Sequence, residues 1–138
     1  MFTDHRSRTQ FDKSVLGDFA AGTQNGSWED LSDTQGTSHA LLETGAATGS
    51  PTAQSVTYTV EEADDASGTN SQAIAELHAG GSVAKAASVV HSADDKQEVV
   101  RFDRTKPFVR VVAVVAFTAG SSPKIPVCAT LVSDKRKV

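Results

Sequence analysis

The sequence is poor in the residues that staple a small protein or mark its sites: one cysteine, one tryptophan, one tyrosine and four prolines in 138 residues. A lone thiol, Cys128, excludes both an internal disulfide and a cysteine-built zinc cage, so stability must come from packing or from partners. Long apolar runs are missing too. The most apolar stretch, Val111–Phe117, falls far short of the ~20 residues that cross a bilayer as a helix, and it reads as a buried strand. No apolar segment follows the charged start Met1–Arg8, so neither export nor membrane attachment is expected. Without a signal, Asn25-Gly26-Ser27 is a turn, not a glycosylation acceptor. Positive charge is scarce: 13 Lys and Arg against 17 Asp and Glu give a net charge of −4, which argues against a nucleic-acid partner.

Catalytic signatures are equally thin. There is no G-x-S-x-G elbow, phosphate-binding loop, dinucleotide glycine pattern or H-E-x-x-H helix. Ser82-Val83-Ala84-Lys85 fits the S-x-x-K of penicillin-recognising enzymes, but its S-D-N and K-T-G companions are lacking, so no enzyme is expected. Glu61-Glu62, Asp64-Asp65 and Asp94-Asp95 read as solvated carboxylates, since neighbours on a strand point to opposite faces. The loop Ala63–Asn70 carries a calcium alternative but lacks the EF-hand spacing and its terminal Glu. His5, His39, His78 and His91 are too scattered for a zinc site, and no metal or cofactor is expected. The basic end Lys135-Arg136-Lys137 reads as a frayed terminus, with docking on an acidic surface as the alternative. Trp28 and Tyr58 are too few for a sugar or base platform and are assigned to structural burial.

What is present is a β rhythm. Hydrophobic residues make up 38% and aromatics 6%, so the core must be built from Val, Ala, Leu and a few Phe. Val56, Tyr58 and Val60 alternate with Thr57 and Thr59, which predicts a half-buried strand. Ser38–Glu43 and Gln97–Phe102 are further strands. Phe108–Phe117 is apolar on both faces and is expected in mid-sheet, covered on both sides, with Ile125–Val132 returning as its hairpin partner. Ile74–Val90 is ambiguous: Gly80-Gly81 breaks it, and its alanines suit a helix.

Residues 1–30 are polar and form an extended N-terminal arm, ahead of a domain at 31–138. Phe11, Val15, Leu16 and Phe19 have helical spacing, allowing a short amphipathic turn or two. Fixing backbone costs about 1–2 kcal/mol per residue, while each buried anchor returns only about 1.5–3 kcal/mol. The arm therefore needs the protein body or a neighbouring subunit to order it. Strand runs without regular helical alternation predict an all-β antiparallel β-sandwich or jelly roll.

Four stretches carry a resemblance: Asp33-Thr34-Gln35-Gly36, Tyr58-Thr59-Val60-Glu61-Glu62-Ala63-Asp64-Asp65, Phe108-Val109-Arg110-Val111-Val112 and Ala129-Thr130-Leu131-Val132. With the polar arm and basic end, the chain resembles the decoration (cement) proteins of tailed-bacteriophage heads. The resemblance implies a virion protein, made in the host cytoplasm, that sits on the outer capsid surface. There it binds the major capsid protein, associates with itself as a homotrimer and stabilises the head. It also implies a partner interface at Phe11, Val15, Leu16 and Phe19, with Trp28 beside them. Two other readings stay open: another virion component, such as a tail-tube or head-completion protein, and a carbohydrate-binding module using exposed Trp28 and Tyr58.

Overall fold

The computed structural model describes residues 9–80 and 83–136, and no helix occurs among them. Its strands are β1 (Thr9–Phe19), β2 (Gly22–Asn25), β3 (Glu29–Asp30), β4 (Thr34–Thr44), β5 (Ala53–Ala63), β6 (Gln72–Ala73), β7 (His78–Ala79), β8 (Val89–His91), β9 (Lys96–Phe102), β10 (Phe108–Thr118) and β11 (Ile125–Lys135). Sheet A has the order β1-β11-β4-β9-β7. Sheet B has the order β2-β10-β5-β6, with β3 beside β10 and β8 beside β5. All pairings are antiparallel. The sheets face each other across one cluster of buried side chains, an all-β antiparallel sandwich.

The alternation in β5 resolves as its pattern predicts: Val56, Tyr58 and Val60 are buried, while Thr57 and Thr59 are half-buried on the outer face. In β10, Val109, Val111, Ala113 and Val115 face the core. Each fully buried valine contributes about 1.5–3 kcal/mol of transfer free energy. The expectation that β10 is covered on both sides is corrected. Val114 is 40% exposed on its outer face, because no third layer lies beyond sheet B.

The expected hairpin between β10 and β11 is also corrected. β10 lies in sheet B between β5 and β2, whereas β11 lies in sheet A between β1 and β4. Ala119, Gly120 and Ser122 all have positive φ, and this connection carries the chain from one sheet to the other. Each strand has one strongly apolar face, and facing strands across the core bury both. Partners of the same length, β5 for β10 and β1 and β4 for β11, supply the hydrogen bonds.

The helical spacing of Phe11, Val15, Leu16 and Phe19 gives way to a strand. β1 pairs with β11 from Thr9↔Asp134 to Phe19↔Ile125, so an inter-strand ladder replaces a marginal isolated helix. The stretch read as an arm thus lies along the body from Thr9 onward: β1 edges sheet A, and β2 and β3 flank β10. Residues 74–90 hold no helix among those described. β7 pairs β9, a bridge joins Leu77 to Ala86, β8 pairs β5, and Ile74, Leu77 and Val89 drop into the core.

Candidate interaction surface

A register break in β1 falls between Lys13 and Val15, with Ser14 as the extra residue. A bulge of this kind shifts side-chain parity by one. Phe11 and Lys13 before it and Leu16 after it therefore all point away from the core, while Val15 points in. Ser14 is buried, and its hydroxyl accepts from the Val111 N–H at 2.9 Å and donates to the Ser27 carbonyl at 3.1 Å. The neighbouring Gly26 is held against this node: a Cβ there would collide with Ser14 Oγ and the Val111 carbonyl. The Ser27 N–H donates to the Ser14 carbonyl at 2.9 Å, so a loop partly covers the outer edge of β1.

The outward side chains of sheet A fall into cross-strand rows. Phe11, Val132, His39, Arg101 and His78 form the first; Lys13, Thr130, Leu41 and Val99 the second; Leu16, Cys128, Glu43 and Gln97 the third. Phe11 is 67% exposed, Leu16 65% and Val99 49%. A shallow hollow of about 440 Å³ beside Leu16 is bordered by Glu43, Gly45, Gln97, Pro126 and Cys128. The face is apolar in patches, with Arg101 in its first row, Lys13 in its second and Glu43 in its third, a mixed composition suited to another protein surface.

Of the expected interface residues, Phe11 and Leu16 share this face. Val15 does not: it is a core residue at 4% exposure, turned inward by the bulge. Phe19 packs partly against the core. Trp28 lies with sheet B, its ring 4.4 Å from the Arg110 guanidinium, and Arg110 in turn pairs with Glu61 at 2.7 Å. Tyr58 is fully buried, so it forms no sugar platform with Trp28.

Around the far connection, the buried Glu62 is a structural hub. Its Oε1 accepts from Gln72 Nε2 at 2.8 Å and Thr105 Oγ1 at 2.7 Å, and its Oε2 accepts from the main-chain N–H groups of Thr105 at 2.7 Å and Lys106 at 3.1 Å. Burial pushes its proton affinity up, but the donors from Gln72, Thr105 and Lys106 together hold it below the usual carboxylate range. In the loop considered for calcium, Asp65 Oδ1 accepts from the Ser67 and Thr69 N–H groups, and Asp64 takes an Asn70 hydrogen bond and the Lys106 ammonium. The Asn70 bond, with Lys106 adding to it, holds Asp64 below its ordinary value.

A buried network joins the sheets. Thr44 Oγ1 lies 2.6 Å from Tyr58 Oη and 2.8 Å from His91 Nδ1, and His91 Nε2 lies 3.3 Å from Glu98 Oε2. Tyr58 also donates to the Glu43 carbonyl at 3.2 Å, and its ring meets that of His91 edge-on at 5.1 Å. Burial raises the Tyr58 phenol to about 12. The order carboxylate, imidazole, hydroxyl is that of a nucleophile with its base, but Thr44 is 3% exposed and its hydroxyl is already engaged by both Tyr58 and His91. The network is a polar clamp between β4 and β9 of one sheet and β5 and β8 of the other. Sequence spacing had no means of finding it, since its members span residues 44 to 98.

His5 and Ser82 lie outside the described residues, and Lys85 pairs with Glu76 at 2.9 Å. Among the described residues, no three His, Cys, Asp or Glu side chains cluster as a metal site. The described part of the basic end is not frayed: Lys135 closes β11, and Arg136 donates from its main chain to the Asp33 carbonyl at 2.9 Å. Lys137 lies outside the described residues. No family model, no curated protein and no solved structure matches this chain.

Proposed function

We propose that the chain is a bacteriophage head decoration protein, seated on the outer capsid surface with the outward face of sheet A against the major capsid protein. The observation that carries this reading is the Ser14 bulge, which brings Phe11 and Leu16 to one exposed face. A strand of unbroken parity would put one of them inside. The strand orders β1-β11-β4-β9 and β2-β10-β5-β6 support the jelly-roll form of the sandwich that this reading expects. The loop covering the outer edge of β1 favours docking by a face over docking by strand addition.

The work proposed for the molecule is mechanical. A trimer that touches several capsid subunits makes their separation require simultaneous loss of several contacts, so modest individual affinities combine into a high barrier to rupture. Co-sedimentation with purified heads tests this reading. Phe11→Asp with Leu16→Asp should abolish head binding while the folded β signal in circular dichroism is retained. Undiminished occupancy by the folded double variant would refute the assigned face, and absence of wild-type binding would refute the function.

A further inference from the structure

Arg104, in the connection between β9 and β10, and Arg136, directly after β11, approach each other at one end of the sandwich. Arg104 Nη2 donates to the Leu31 carbonyl at 2.6 Å and to the carbonyl and Oγ1 of Thr34, each at 3.2 Å, and Nη1 donates to the Lys106 carbonyl at 3.3 Å. Arg136 Nε donates to the same Thr34 carbonyl at 3.2 Å. Two guanidinium groups thus converge on one main-chain oxygen. Neither forms an ion pair among the described residues, and both Arg136 Nη groups are left without a described partner.

Such an arrangement is electrostatically incomplete. Burial lowers the proton affinity of Arg104, repulsion from Arg136 lowers it further, and the fields of Glu62 and Asp30 oppose this. In an acidic protein, surface cations ordinarily find carboxylates; here neutral carbonyls hold the pair in place. Thr34, Gln35, Gly36 and the two arginines line an open hollow of about 510 Å³. Gly36, at φ +71°, leaves its rim clear, since even an added Cβ would meet nothing within 4 Å. Arg136 is fixed through its Nε and lines the hollow with its Nη groups unengaged among the described residues, and such a guanidinium edge suits an oxyanion, whose geometry matches it.

We propose that Arg104 and Arg136, with the Thr34–Gly36 rim, form a binding site for an oxyanion group, carried either by phosphate or by a carboxylate side chain of a partner protein. Arg104 supplies fixed positive charge because its Nη2 is tied to the main chain, and Arg136 supplies the free donors. The site lies at the end of strands β4 and β11, beyond the row that holds Phe11, and the inference does not depend on the head-binding proposal.

Nuclear magnetic resonance titration of the full chain with sodium phosphate, sodium acetate and sodium chloride at matched ionic strength tests it. Saturable shifts are expected for the Thr34, Gln35 and Gly36 amides with phosphate or acetate but not with chloride. Saturation by phosphate alone identifies a phosphate-type ligand, and equal saturation by acetate identifies a carboxylate. Arg136→Gln keeps the fold-supporting Arg104 in place and should weaken binding at least about tenfold, as expected for loss of a charge-assisted contact. Responses to all three salts that are alike, or Arg136→Gln binding as tightly as the wild type, would overturn the proposal.

Discussion

Replacing Glu62 tests how the long 103–107 connection is held. All four of its partners act as donors: two side chains on Oε1 and two main-chain N–H groups on Oε2. Glu62→Ala removes every one of these bonds. The side chains of Gln72 and Thr105 are exposed and regain water, so the loss falls mainly on the two N–H groups, and the expected cost is about 2–4 kcal/mol. Glu62→Gln is gentler. Its amide oxygen can serve the two N–H groups while its NH₂ faces Thr105 Oγ1, which can turn to accept, and Gln72, which can flip; the expected cost is about 1–2 kcal/mol. Urea unfolding at pH 7 followed by the single tryptophan, Trp28, measures both. The pH dependence adds a sign. The folded Glu62 carboxyl lies below the ordinary 4.5, so its contribution is complete above that pH and is lost as pH falls through the folded value. The gap between wild type and Glu62→Gln should therefore narrow below pH 4.5. An alanine variant within about 0.5 kcal/mol of wild type, a margin typical of featureless surface sites, would refute the hub.

Ser14→Ala leaves the buried Val111 N–H without its acceptor and should destabilise by about 1–3 kcal/mol in the same urea assay; a neutral result would remove the hydroxyl from the account of the bulge. Tyr58 is the only tyrosine, so ultraviolet absorbance titration reports it alone. Its phenol should ionise near 12 in the folded protein, and the stability it contributes is complete below 10 and lost as pH rises from there towards 12. Ionisation near 10 with the fold intact would contradict its burial. Tyr58→Phe loses the bonds to Thr44 and Glu43 and should cost about 0.5–2 kcal/mol by thermal melting; an unchanged melting temperature would show that the phenol contributes nothing to the clamp.

The sandwich was legible where local pattern and tertiary role agree. Val56, Tyr58 and Val60 announced β5 because period-two alternation is a direct consequence of a half-buried sheet. Partner choice was not legible. Nothing in Phe108–Phe117 or Ile125–Val132 states that the connection between them crosses the core, since a short turn between two apolar strands fits a hairpin equally well. Within β1, Phe11, Val15, Leu16 and Phe19 mimic a helical stripe because a bulge shifts the parity of a strand midway, and spacing alone does not separate the two. The buried Ser14 that marks the bulge is an unremarkable serine in sequence. Thr44, Tyr58, His91 and Glu98 escaped for another reason: a polar cluster assembled from four strands has no short-range signature.

The central claim is the proposal that this is a head decoration protein whose contact face is the outward face of sheet A. If it is, a cryo-electron reconstruction of the head encoded with this chain, at a resolution that traces strands, tests it most directly. The account predicts density for the sandwich on the outer shell with Phe11 and Leu16 turned towards capsid subunits. Heads bare of the protein, or copies presenting that face to solvent, would contradict it.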